Sequence, residues 1–174
     1  MKLEIETERL RLRVHRLDDY PAIKKLWANP EVTRFIGGEP RGEEDSWLKF
    51  LRMAGHWHLM GYGFWAVEER ASGQIIGELG FAEFKRNMTP TPSIVPEMGW
   101  AFDPAFHGKG LATEAALAAL AWGEEKWPGE RLSCIITAEN APSIKLAERI
   151  GFKKSATTEY QGDEVFLFFR EPGA

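Results

Sequence analysis

The residues with the most chemical potential lie between Glu97 and Ala115. An apolar run, Met98 to Phe102, ends at Asp103-Pro104; His107-Gly108-Lys109-Gly110 follows, and an Ala- and Leu-rich run begins at Leu111. The pattern reads as a strand, a short Gly-rich loop and a helix N-terminus. The first turn of a helix carries N–H groups without intrahelical partners, together with the positive end of the macrodipole. Glycines at 108 and 110 let a bulky anion approach that backbone, which makes the segment a candidate phosphate site. A plain connection between strand and helix is the competing reading of the same glycines. Two nucleotide patterns fail on spacing. Lys109-Gly110 lacks the Gly-Lys-Ser/Thr end of a P-loop, and Thr113 stands where a dinucleotide fingerprint needs its third glycine.

A second block lies downstream. Arg131 to Thr137 reads as a buried strand; Asn140-Ala141-Pro142-Ser143 then opens a short helix that ends in Gly151-Phe152. In their order and separation the two blocks resemble the GNAT superfamily of acyl-CoA-dependent N-acetyltransferases. The family's pyrophosphate motif is Gln/Arg-x-x-Gly-x-Gly/Ala, and His107 to Ala112 matches it except that His stands first. Asn140 through Phe152 matches the second family block. Asn140-x-x-Ser143 and the opening Glu6-Thr-Glu-Arg-Leu-Arg-Leu-Arg13 look like the RimJ/RimL-type branch. The likeness runs from about residue 6 to residue 170.

The resemblance implies acetyl-CoA as cosubstrate, no metal, and direct transfer of an acetyl group to a primary amine. That amine is either a protein N-terminal α-amine or a small-molecule amine. It also implies that the first parallel strand and the next splay apart, with the pantetheine pairing along Trp100, Ala101 and Phe102. The amides of Gly108, Lys109, Gly110, Leu111, Ala112 and Thr113 would then hold the pyrophosphate, Leu111 and Ala112 through backbone alone. His107 replaces the usual Gln or Arg with a ring only partly charged near neutral pH. Lys109 either adds charge to a phosphate or is simply solvated.

Asn140 would hydrogen-bond the cofactor arm, cap the helix that Pro142 starts, or both. Glu97, at the head of the cofactor strand, is the acid/base candidate, against the plainer reading of a strand-end surface carboxylate. Many family members carry a Tyr late in the second helix to protonate the leaving thiolate; the matching position here is Ala147. Ser143, one turn earlier, is the nearest substitute, orienting the thiol or a water, or else packing at the helix start. A rival class keeps the fold without the reaction: a non-catalytic acyl-CoA-binding sensor or interaction module.

The elements that must position these residues follow from periodicity. Arg9 to His15 alternates as a half-buried strand. Asp18 and Asp19 start a helix to about Ala28, stopped by Asn29-Pro30. A second helix fits Gly42 to Leu59, with Trp47, Leu48, Leu51 and Ala54 inward. Phe64–Glu68 and Gln74–Phe84 are strands turning at Ser72-Gly73, and Met88 to Pro96 is a Pro-rich loop. Strand 97–102, helix 110–126, strand 131–137 and helix 142–150 make a βαβ unit with parallel strands. Phe152–Tyr160 and Glu164–Arg170 close a last hairpin. The fold class is mixed α/β (α+β), one domain over residues 1–174, with a GNAT-like central sheet of about seven strands and helices on both faces. Trp27, Phe35, Trp47, Trp57, Trp65 and Tyr160 are available to wall an acceptor site, with Glu83 or Asp163 to bind a cation.

Composition bounds the rest. The chain has 174 residues, 44% hydrophobic and 28% charged, an ordinary balance for a globular domain. The formal charge of −4 comes without a basic stripe, which argues against nonspecific nucleic-acid binding and is mildly compatible with a cationic substrate. His15, His56, His58, His107 and the lone Cys134 have no zinc-ligand spacing. No apolar run approaches the ~20 residues that span a membrane, and Met1-Lys2-Leu3 leads straight into charged residues rather than a signal sequence. A single cysteine cannot form an internal disulfide, so a cytoplasmic protein, monomer or homodimer, is expected.

Overall fold

A computed structural model describes residues 3–88 and 96–174. The Pro-rich loop expected between Met88 and Pro96 falls mostly outside the described residues.

An eight-stranded sheet organises the chain, in the order β1-β2-β3-β4-β5-β6-β8-β7. Its strands are β1 (Ile5–Glu6), β2 (Leu10–Arg13), β3 (Phe64–Glu69), β4 (Ile75–Ala82), β5 (Glu97–Phe102), β6 (Leu132–Thr137), β7 (Lys153–Tyr160) and β8 (Asp163–Arg170). The expected seven become eight because Ile5–Glu6 pairs antiparallel with Arg11–Leu12. A two-residue strand is too short for any alternation to register in sequence. Every neighbouring pair is antiparallel except β5 and β6, the two strands of the expected βαβ unit.

Helices cover both faces: α1 (Tyr20–Ala28), α2 (Pro30–Thr33), α3 (Glu43–Met60), α4 (Leu111–Lys126) and α5 (Ala141–Arg149). Side chains alternate along β5. Met98 and Phe102 join the core under α4 and α5, where Ala115, Ala119 and Trp122 pack on Trp65, Leu79 and Phe81. Small residues let α4 sit close to the sheet, and the edge-to-face contacts of Trp122 with Trp65 and Trp57 add about 0.5–1.5 kcal/mol each beyond burial. Ala101 faces the other way, toward Ile23, Trp27 and Phe50 of α1 and α3.

The inner face of α3 differs from the sequence expectation. Ser46, Lys49, Phe50, Met53 and Trp57 are buried, whereas Leu48 and Leu51 are 57% and 46% exposed, Ala54 is exposed and Trp47 only half-buried. Hydrophobicity alone chose the wrong stripe because Lys49 is drawn inward by Glu78 of β4.

Candidate active site

The two parallel strands pair at one position only, Glu97 with Ser133, and then diverge. On its other side β5 pairs with β4 along its whole length. Gly99 and Trp100 are consequently half-exposed in the middle of the sheet, and backbone groups on that edge of β5 lack a neighbouring strand. A cleft of about 620 Å³ opens at the split, within the usual range for small-molecule sites. A Cβ at Gly99 would lie 2.8 Å from the Phe64 ring, so any larger residue there would have to displace that ring.

At one end of the cleft Glu97 is only 9% exposed, so it is not the strand-end surface carboxylate of the plainer reading. Its two oxygens accept from Arg86 Nε and Nη2, each at 2.7 Å. Burial pushes the carboxyl above its ordinary range, and Arg86 pulls it only part of the way back. Each oxygen retains lone-pair capacity beyond the guanidinium bond, so the ionised group can still take a proton from the cleft. Arg86 is itself held against Phe84 and Tyr160, 4.5 and 4.9 Å from their ring centroids.

Across the split, the Trp100 indole N–H donates to Ser143 Oγ at 3.2 Å. Asn140 Oδ1 accepts from the Ser143 backbone N–H at 3.3 Å, the capping role. Its amide nitrogen has no partner among the described residues and remains available to a ligand. Ser143 is half-exposed on the cleft, while Ala147, one turn on, is fully buried. The two therefore do not share a cleft-facing stripe, because α5 turns Ala147 into the core shared with α4.

The Gly-rich loop turns on two glycines and opens directly into α4. Gly108 and Gly110 both take left-handed backbone, φ +75° and +76°, and no side chain caps α4. Arg9 ties the loop down, donating to the Lys109 carbonyl at 2.9 Å and to Glu114 at 2.6 Å. His107 does not hang free; its Nε2 meets the Phe102 carbonyl at 3.1 Å. The Lys109 ammonium lies 5.0 Å from the Phe106 ring centroid, and Thr113 Oγ1 accepts from Arg149 at 3.5 Å.

Of the sequence candidates, Glu97, Trp100, Asn140 and Ser143 line one cleft. Ala101 and Phe102 are buried in the strand beside it, and His107 to Thr113 lie outside its lining, in the loop and first turn of α4. Trp27, Phe35, Tyr160 and Asp163 also line the cleft; Trp47, Trp57, Trp65 and Glu83 do not. Glu83 pairs with Lys85 instead. Among the described residues no group of three or more His, Cys, Asp or Glu side chains could hold a metal ion, and no helix is long and apolar enough to cross a membrane.

Sequence reading missed the cations. Arg41, Lys49, Arg52 and Arg86 all line the cleft. Beneath it Glu78, fully buried, receives Lys49, the Trp27 indole N–H at 3.0 Å and His15 Nε2 at 3.2 Å. One signal was available: Glu78 interrupts an apolar strand, and a buried charge requires a partner.

The acetyltransferase (GNAT) domain family matches residues 9–153. An uncharacterized N-acetyltransferase, p20, of Bacillus licheniformis is 28% identical over 149 residues, 85% of this chain and 81% of that one. The crystal structure of an acetyltransferase from Agrobacterium tumefaciens superposes with a TM-score of 0.80 at 28% identity, covering 96% of this chain and 94% of that one. Two more distant structures share the fold. The ribosomal L7/L12 α-N-protein acetyltransferase RimL in complex with coenzyme A has a TM-score of 0.76 at 17% identity, covering 97% of each chain. Spermidine N-acetyltransferase from Vibrio cholerae, in complex with CoA and spermine, has 0.74 at 19%, covering 95% of this chain and 97% of that one.

Proposed function

We propose that this chain, which belongs to the GNAT acetyltransferase family and is an N-acetyltransferase, takes acetyl-CoA as its donor and a primary amine as its acceptor. The observation that carries the reading is the single-pair opening between β5 and β6. It leaves an unpaired strand edge, leading from the uncapped head of α4 to a buried carboxylate. Such an edge suits an amide-bearing arm that adds like a strand, and the α4 amides suit a pyrophosphate. CoA bound to two distant structures of the same fold supports the same choice of donor.

The geometry supports the following roles. Trp100 and Asn140 would border the arm, and Ser143, held by the Trp100 indole, would meet the thiol end. Glu97 in its ionised form takes the proton released as the amine nitrogen bonds to the thioester carbonyl carbon and the C–S bond breaks. No cysteine nucleophile is used: Cys134 lines the cleft, but burial, with Glu97 adding, pushes its thiol well above the ordinary range. A free buried thiol also suits a reducing cytoplasm. The Asn140-x-x-Ser143 pattern supports the RimJ/RimL-type branch, whose acceptor is either a protein N-terminal α-amine or a small-molecule amine.

Thiol release from acetyl-CoA, measured with N-terminal peptides and small amines, tests the proposal. Amine-dependent release is expected. Tight CoA binding with no amine-dependent release would instead make the chain a holding module.

A further inference from the structure

We propose that the acceptor amine carries an anionic group, a carboxylate or a phosphate, which Arg41 and Arg52 receive on the α3 side of the cleft. The inference rests on the transfer reading above and names the acceptor's chemistry.

The cleft lining holds four cations, Arg41, Lys49, Arg52 and Arg86, against two carboxylates, Glu97 and Asp163. Glu78 occupies Lys49, and Glu97 occupies Arg86. Asp163 is exposed at the start of β8. Arg41 and Arg52 pair with no carboxylate among the described residues. Arg41 Nε is buried without a hydrogen-bond partner, and its guanidinium lies 5.4 Å from the Trp27 ring centroid. A buried donor left unpaired is costly unless a ligand satisfies it. Arg52, on the exposed side of the cleft, is pushed below its ordinary range by partial desolvation and then by repulsion from Arg41, with Glu78 pulling the other way, as expected of two guanidiniums that face one site.

The donor's pyrophosphate does not account for this pair. The uncapped amides of α4 stand on the face of the sheet toward which Met98 and Phe102 point. Arg41 lies against Trp27, which packs with Ala101 on the opposite face. Nor does the chain's formal charge of −4 extend to the cleft. A polyamine would bring further positive charge to a lining already in cationic excess.

The test uses the CoA-loaded protein and matched acceptors that differ only in the anion. One pair is the dipeptide amides Ser-Glu and Ser-Gln; the other is phosphoethanolamine and ethanolamine; spermidine is the polycation. Binding is read by calorimetry, and kcat/KM from thiol release is read with acetyl-CoA in place of CoA. The anionic member of at least one pair should be favoured about 10- to 100-fold, the range for hydrogen bonds to a charged group. Preference confined to the peptide pair assigns a carboxylate, and preference confined to the other pair assigns a phosphate. Arg41→Gln and Arg52→Gln should each reduce that ratio while the affinity for CoA holds. A wild-type ratio near one, a preference for the neutral member or spermidine, binding of none of them, or a ratio unmoved by both substitutions overturns the inference. Failure of the transfer reading looks different: CoA itself does not bind, or no amine raises thiol release.

Discussion

Replacing Glu78 with glutamine removes the charge on which the floor of the cleft depends. Burial alone would raise this carboxyl; Lys49 and then His15 outweigh it and hold the group at about 2, against an ordinary 4.5. A depressed carboxylate contributes stability that is complete above the unfolded-state value and lost as the pH falls through the folded-state one. The window here runs from 4.5 down to about 2, worth about 3 kcal/mol at 1.36 kcal/mol per pH unit. The substitution also strands Lys49, whose ammonium burial already disfavours, and removing one partner of a buried pair costs about 3–5 kcal/mol. Denaturant unfolding at pH 7 should therefore find Glu78→Gln less stable by about 3–5 kcal/mol. The deficit should shrink as the pH approaches 2, because the wild type then loses the same contribution while effects common to both proteins cancel. Adding Lys49→Met should recover much of the loss, since neither charge then remains buried. A deficit below about 1 kcal/mol, the scale of a surface pair, or one of equal size at pH 3 and pH 7, would refute the reasoning.

Glu97→Gln should lower turnover by about 10²–10⁴-fold while CoA binding stays nearly intact; wild-type turnover in that variant removes Glu97 from the mechanism. Because the base works ionised and burial raises its pKa, the wild-type rate should climb with pH through a limb above the ordinary carboxylate range. Gly110→Asp forces a side chain onto left-handed backbone and sets a carboxylate at the uncapped head of α4, so calorimetry should show weakened CoA binding; unchanged affinity in a folded variant means the phosphate site lies elsewhere. Ser143→Ala should cost less than the 10²–10⁴-fold expected of a true general acid, and a loss on the order of 10³-fold with CoA affinity preserved would make Ser143 a principal catalytic group. Ala147→Tyr should destabilise the protein by about 1–3 kcal/mol through overpacking rather than supply an acid, since the site is fully buried; thermal unfolding and the rate assay together decide this.

What could be read from the chain alone is what nearest neighbours in sequence decide. The Gly108–Gly110 loop, the Asn140 cap and the β5–α4–β6 unit are local, set by turn glycines, capping chemistry and alternation, and they stand where the sequence puts them. The family likeness, carried by the same two blocks, is borne out by the match over residues 9–153. Tertiary structure decided everything that depends on partners far apart in the chain. Lys49 and Glu78 are 29 residues apart, and only their meeting explains why α3 turns a lysine inward and leaves Leu48 and Leu51 outside. Glu97 faces Arg86, 11 residues before it, and the composition between them gives no sign of the contact. Ala147 is buried and Ser143 faces the cleft because of where α4 lies, which helical spacing within α5 cannot convey. The cationic lining is likewise invisible in a chain of formal charge −4. Net charge sums over the whole surface, whereas a cleft's potential depends on which few side chains the packing of α1, α3 and the last hairpin turns toward it.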